Sequence, residues 1–382
     1  MSIYSFENQA EIEFKAKFKF HALSFSWVAI HPEPKGIIQF IGGALFGSFP
    51  TIFYHHFLNK LFESGYTIIA FPFRFTFNHW SVSLQLLREQ YVLRQEIIKK
   101  VISLNYDPQI YLEDKNYQWI GHSLGCKYII LLELLSGFEG TDINSFNWEI
   151  VWQKIKPSLP DVDEQEAKKI VQQLENIKDR VKDIYDKWLT IRKEIEKLVE
   201  CSVDLKGLFI RSQPSLLVAP DISDTGSAIP IRQVADFLDL LELGAKPTRK
   251  QTQLLVENSS LFSITAILSF EKDMIAGNRQ NSTGDSDAAW LINTLQLGTH
   301  RTFEIKNAFH LEPHGHQVGK LVVDFPGGLV VWLNGLTFVP LIPFSQPARA
   351  FLNEVRKPII KSLTARAMLE YKVLQLLENL KY

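Results

Sequence analysis

Apolar residues in the first third of the chain fall in short runs divided by longer segments, which predicts strands alternating with helices and hence a parallel sheet with crossover helices. Residues Glu11 to His21 alternate apolar and polar, the pattern of a half-exposed strand near a sheet edge, and Trp27 to Ile30 continue as a second strand. After Pro32 and Pro34, Gly36 to Ile41 read as a buried strand running into the glycine-rich loop Gly42-Gly43-Ala44-Leu45-Phe46-Gly47. A helix from about Pro50 to Glu63 stops at Gly65, and Tyr66 to Phe71 form the next buried strand. A long helix, roughly Ser81 to Leu104, leads to the apolar run Tyr117-Gln118-Trp119-Ile120 and the helix-forming run Cys126 to Leu135. The rhythm resumes late in the chain with strands at Ser215 to Ala219, Ser263 to Phe270 and Arg301 to Ile305. Helices are predicted through Val234 to Leu243 and near Trp290, and in a tail from Pro347 to Tyr382 broken at Pro358.

Between these halves the pattern changes. Ile170, Leu174, Ile177, Val181, Ile184, Trp188, Ile191, Ile195 and Leu198 recur at alternating steps of four and three, a heptad seam in a charged helix of about 45 to 60 Å. The predicted organisation is therefore residues 1–137 as the first half of a doubly wound α/β core, 138–212 as a helical insertion, 213–320 as the second half and 321–382 as an apolar segment with C-terminal helices. The seam suits a helical hairpin packed within the chain, a lid over a site or a homodimer contact. Leu321 to Phe344 is apolar, but Asp324, Gly327, Gly328, Asn334, Gly335 and several prolines would break a spanning helix, so buried strands or loops are expected. A surface that dips into a bilayer interface is the alternative.

Composition narrows the partners. With 41 basic and 42 acidic residues the formal charge is −1, and no basic run with interleaved aromatics stands out, which argues against nucleic acid. Two cysteines, Cys126 and Cys201, exclude a disulfide framework and fit a reducing compartment. The first residues lack a basic region followed by an apolar stretch, so the expected location is cytoplasmic, with peripheral membrane contact open and the Asn258 and Asn281 sequons idle.

The strongest chemical signal is Gly121-His122-Ser123-Leu124-Gly125, set between a strand and a helix where a nucleophile elbow must sit. The sharp turn strains the serine backbone, and glycines two positions away let strand and helix approach. A serine hydroxyl needs a base, and the base a carboxylate, in the chain order serine, acid, histidine. Asp273, just beyond the strand ending at Phe270, is the leading acid, with Asp221, Asp224 and Glu271 as alternatives. His310, in Asn307-Ala308-Phe309-His310-Leu311, is the expected base. Backbone N–H groups of Ala44 and Leu124 would hold the oxyanion. His310, His314 and His316 lack the cysteine or acidic pattern of a metal site, Glu312 being the one nearby carboxylate, and no nucleotide fingerprint follows Gly42-Gly43. Neither metal nor cofactor is expected.

Through Gly121 to Gly125, the Gly42-Gly43 loop, Asp273 and His310 the chain resembles the α/β-hydrolase superfamily. Through Ile41 to Gly47, Gly65 to Pro72 and His310-Leu311-Glu312-Pro313 it is similar to a cyanobacterial and plant chloroplast family of unassigned, esterase-like proteins. The resemblance covers roughly residues 25–135 and 212–315. It implies an eight-stranded, mostly parallel sheet and a Ser123, Asp273, His310 triad hydrolysing a small-molecule or lipid ester, although Phe270 stands where the acid loop usually has glycine. Seven of the 27 phenylalanines, at 46, 49, 71, 73, 75, 77 and 309, are expected beside the mouth, favouring an apolar acyl or isoprenoid group. A binding or scaffold protein on this fold and an acyltransferase using the same serine are the alternatives.

Overall fold

Near-continuous apolar strands need cover on both faces, and the main sheet has it. The computed structural model describes residues 16–44, 46–74, 76–135, 164–205, 210, 213–222, 246–257, 262–280, 286–308, 310, 313, 322–324, 330–334, 337–340 and 363–380. Eight strands form one sheet: β1 (His21–Leu23), β2 (Ser26–Ala29), β3 (Gly36–Ile41), β4 (Tyr66–Phe71), β5 (Tyr117–His122), β6 (Ser215–Val218), β7 (Thr265–Phe270) and β8 (Thr302–Ile305). Their order is β1-β2-β4-β3-β5-β6-β7-β8. β1 pairs with β2 and β2 with β4 antiparallel, and every later neighbour is parallel. This is the doubly wound, mostly parallel architecture of an α/β-hydrolase-like fold.

The two-residue period of a strand divides the core. Ile37 and Ile41 of β3 join one apolar cluster, while Ile38 and Phe40 join the other. The first face is covered by α3 (His79–Ser103) and α4 (Leu124–Leu135). The second is covered by α1 (Pro50–Phe53), α2 (His55–Glu63) and, late in the chain, α8 (Leu363–Asn379). Beyond the Ser64 cap of α2 the chain turns at Gly65, whose φ of +91° suits glycine. Asn78 caps α3, its side chain accepting from the Ser81 N–H at 3.0 Å.

The charged insertion is seen as α5 (Glu164–Val199), whose 36 residues span about 54 Å. Much of its described seam packs inside the chain, while Leu198 is exposed. Ile177, Val181, Ile184, Trp188 and Ile195 are buried in the α3–α4 cluster, and Ile191 packs against it. Trp188 lies 4.7 Å from the Tyr91 ring of α3, and Gln95 donates to Glu194 at 2.7 Å. α5 thus makes a third layer outside α3. The side chains of Ile170 and Leu174 lie outside the described residues.

Several expectations change. Residues 16–20 carry no strand, because pairing starts at His21, and 1–15 lie outside the described residues. The helix expected over Pro50 to Glu63 is two helices, broken at Tyr54 (φ −114°, ψ 12°), which turns its ring into the core. Phe71 packs in the sheet, stacked on Trp119 at 5.5 Å, instead of lining a mouth. Residues 321–344 include strands, as expected: β9 (Val322–Asp324), β10 (Val330–Asn334) and β11 (Thr337–Pro340) form an antiparallel sheet in the order β11-β10-β9. The helix expected at Val234 to Leu243 lies outside the described residues. So does the tail before residue 363. Among the described residues the second half also carries two shorter helices, α6 (Arg249–Glu257) and α7 (Asp287–Thr294). Among the described residues no helix is long and apolar enough to cross a membrane.

Candidate active site

Ser123 is the hinge between β5 and α4, and its φ of +54° places a non-glycine residue in the left-handed region. The strain is held on both sides: its N–H donates to the Val218 carbonyl at 3.1 Å, and its carbonyl accepts from Cys126 at 2.9 Å. The flanking glycines are steric necessities. A Cβ on Gly125 would stand 2.2 Å from the Ile41 carbonyl oxygen, and one on Gly121 2.8 Å from the Cys126 nitrogen. Cys126 itself is buried behind the turn, and burial drives its thiol far above the ordinary range.

The leading acid and base, 37 residues apart in sequence, meet in space. His310 Nδ1 lies 2.9 Å from Asp273 Oδ2, and both residues are buried. The second oxygen, Oδ1, accepts from the backbone N–H groups of Ile275 at 2.8 Å and Ala276 at 3.0 Å, so the carboxylate is fixed in plane before it meets the imidazole. Burial disfavours the imidazolium of His310. The Asp273 charge and hydrogen bond, with Asp221 farther off, outweigh that and raise its pKa above the ordinary 6.5.

Glu271 bonds the Asn307 N–H at 2.8 Å and pairs with Lys306, clamping the two late loops together at the surface. Asp221 is buried and its N–H reaches the Ser123 carbonyl at 3.3 Å, but Asp273 holds the imidazole nitrogen. Asp224, His314, His316 and Glu312 lie outside the described residues. His310 makes no hydrogen bond to the Ser123 hydroxyl among the described residues.

Gly43 sits against the serine: a Cβ there would be 3.0 Å from Ser123 Cβ. Its carbonyl accepts from Gly47, which closes the loop into a tight turn. Its N–H donates to the Tyr54 hydroxyl at 2.7 Å and is therefore committed. The N–H groups of Ala44 and Leu124 meet no acceptor among the described residues. These are the two donors expected for an oxyanion.

Sequence reasoning did not single out Tyr54, His122, Asp287 or Arg249. Asp287 is buried on the first turn of α7, where its carboxylate accepts from Ile222 N–H at 2.8 Å and Arg249 Nε at 2.7 Å. Burial and the charge of Asp221 push it up to about 6. His122 had one signal, a histidine closing an otherwise apolar strand. Tyr54 had none, since a tyrosine inside a predicted helix reads as core.

A family model described as a protein of unknown function (DUF1350) matches residues 19–171, less than half of the chain. No curated protein matches. Among solved structures, TT1662 from Thermus thermophilus is 12% identical, covering 78% of this chain and 92% of its own, with a TM-score of 0.36. Carboxyl esterase 2 from the mycorrhizal fungus Tuber melanosporum is 14% identical over 80% and 81%, with a TM-score of 0.36. A thermophilic esterase from the Planctomycetes species Thermogutta terrifontis is 11% identical over 78% and 83%, with a TM-score of 0.35. Likeness at this level carries no information on activity.

Proposed function

We propose that the protein is a serine ester hydrolase that works through a covalent acyl-enzyme. The observation that carries this reading is the buried Asp273–His310 pair at 2.9 Å, with the acid pinned by two backbone N–H groups and the His310 carbonyl 2.8 Å from Nε2 of His122, the residue before the strained serine. In the first step Ser123 Oγ bonds to the ester carbonyl carbon while its proton passes to His310 Nε2, and the carbonyl electron pair moves onto oxygen. The N–H groups of Ala44 and Leu124 receive that oxyanion. The pair returns, the ester C–O bond breaks, and the leaving alcohol takes the proton from His310. Water then repeats the sequence and releases the acid. Asp273 keeps the His310 proton on Nδ1, leaving Nε2 as the acceptor. Substrate binding tightens the Ser123–His310 approach.

An apolar acyl group suits the apolar side of a groove of about 640 Å³ between the β1–β2 turn, the loop after β4 and α3, where Phe25, Phe73, Val82, Leu86 and Val92 stand beside the charged Arg74, Arg88 and Glu89. The Phe73 ring of this groove also packs edge-on to Tyr128 of α4 at 4.8 Å.

One observation favours a second reading, a binding protein on a hydrolase fold: the Ser123 hydroxyl is not bonded to His310. A fluorescent fluorophosphonate separates the two. Hydrolysis predicts labelling of wild type that Ser123→Ala and His310→Ala both abolish. Folded wild type that stays unlabelled, and that leaves p-nitrophenyl esters intact, supports the binding role.

A further inference from the structure

The Gly42-Gly43 loop, the elbow and the His310 loop come from distant parts of the chain, yet acyl transfer on the proposed reading needs them in register to a fraction of an ångström. Four buried groups connect them. The Gly43 N–H donates to Tyr54 Oη at 2.7 Å, and Tyr54 Oη lies 2.8 Å from His122 Nδ1. On the far side of the ring, His122 Nε2 lies 2.8 Å from the backbone carbonyl of His310. A carbonyl can only accept, so the His122 proton sits on Nε2 and Nδ1 accepts from the tyrosine hydroxyl. The hydroxyl accepts from Gly43 and donates its own proton in this bond. Every donor in the chain then meets an acceptor in one arrangement.

We infer that Tyr54 and His122 are positioning residues: a hydrogen-bonded bridge that sets the oxyanion loop against the segment carrying His310, through the side chain next to Ser123. The inference rests on the proposed hydrolysis.

Packing supports it. Tyr54 is fully buried at the break between α1 and α2, with its ring edge-on to Phe40 at 4.6 Å and to His122 at 5.6 Å. Burial holds its phenol protonated, well above the ordinary 10. The same ring explains the double glycine. A Cβ on Gly42 would lie 2.6 Å from Tyr54 Cε2, and one on Gly43 3.3 Å from its hydroxyl and 3.4 Å from His122 Nδ1. A side chain at 42 would displace the tyrosine ring or the Gly47 backbone, and one at 43 would need its neighbours to give by a few tenths of an ångström. His122 in turn holds its ring 5.0 Å from that of His310. Because the bridge grips the Gly43 N–H, the next donor along, Ala44, is the one left to face a substrate.

The bridge touches no reacting atom, so its removal should slow the chemical step and leave substrate binding nearly intact. Tyr54→Phe keeps the ring and deletes the two bonds. His122→Leu deletes the ring nitrogens, and His122→Gln restores a donor near Nε2. With a p-nitrophenyl ester, Tyr54→Phe and His122→Leu should each lower kcat about 10-fold or more with KM within about twofold, and His122→Gln should recover part of the loss. The double variant should lose little more than the worse single, because the parts act as a unit. Complete labelling with a fluorophosphonate counts competent sites. Full stoichiometry at a slower rate supports positioning, whereas a reduced labelled fraction with normal turnover per labelled site assigns the bridge a merely structural role and overturns the inference. Wild-type kinetics in Tyr54→Phe also overturn it, while leaving the hydrolase reading intact. An inert wild type removes both.

Discussion

Asp273→Asn tests the chemistry most sharply, because the structure dictates how the new amide must lie. In the wild type Oδ1 accepts two backbone N–H groups, from Ile275 and Ala276, and Oδ2 faces His310 Nδ1. An Asn amide group turned toward two N–H donors would oppose donor to donor, so the Asn oxygen must keep the Oδ1 place. Its NH2 then points at His310 Nδ1 and demands an acceptor there. The imidazole proton moves to Nε2, the nitrogen required to take the serine proton. In a Ser-His-Asp triad this tautomer error lowers turnover by about 10,000-fold. Here a loss of about 1,000- to 10,000-fold is expected, or about 4 to 5 kcal/mol of transition-state stabilisation at about 1.4 kcal/mol per tenfold. The pH profile gives an independent reading. His310 must be neutral to act, and its raised pKa places the wild-type activity limb above the ordinary 6.5. Removing the Asp273 charge shifts the residual limb to lower pH. The assay is kcat/KM on a p-nitrophenyl ester from pH 5 to 9, with Asp221→Asn as the control for a carboxylate that acts on His310 only through its charge. An Asp273→Asn variant within tenfold of wild type, or an Asp221→Asn variant that loses more, would refute the assignment of the acid.

Four other outcomes are expected. Gly125→Ala forces a Cβ onto the backbone oxygens of Ile41 and Gly42, neither of which can swing aside, and should cost about 3 kcal/mol or more by urea unfolding; a loss under 1 kcal/mol would contradict the packing of the elbow. Trp188→Ala empties a buried site against Tyr91 and Arg94 and should cost about 3 to 5 kcal/mol, against under about 1 for the half-exposed Leu189→Ala; equal, small losses would mean that α5 is not docked through its seam. Asp287 titrates at about 6 against an ordinary 3.8, so the folded state binds its proton more tightly than the unfolded chain. Stability from this group is present below about pH 4 and is lost, by up to about 3 kcal/mol, as pH rises through 6. Wild type minus Asp287→Asn in urea unfolding from pH 4 to 8 should fall across that window, and a flat difference counts against it. Leu86→Lys, in the apolar groove, should lower kcat/KM for a decanoate ester at least fivefold more than for a butyrate ester, and an equal effect on both would detach the groove from the acyl chain.

The sequence by itself determined what depends on neighbouring residues. Apolar runs located β3, β4, β5 and β7 because strands buried on both faces have no polar side to obscure them. The elbow was legible because its strain needs glycine at 121 and 125, and those two positions lie within one turn of the serine. The heptad period announced a long helix with one apolar stripe, but the stripe does not name its partner. Only the tertiary structure laid it on α3. Likewise Asp273, Asp221 and Glu271 all follow strands that end near the elbow, so loop placement ranks them without choosing. The proposed choice of Asp273 rests on the 2.9 Å bond across 37 residues and on two N–H groups that fix its carboxylate. Tyr54 and His122 were invisible for the same reason. A hydrogen bond between residues 68 positions apart leaves no period or spacing in the chain, because it is created by the sheet order that sets β3 beside β5.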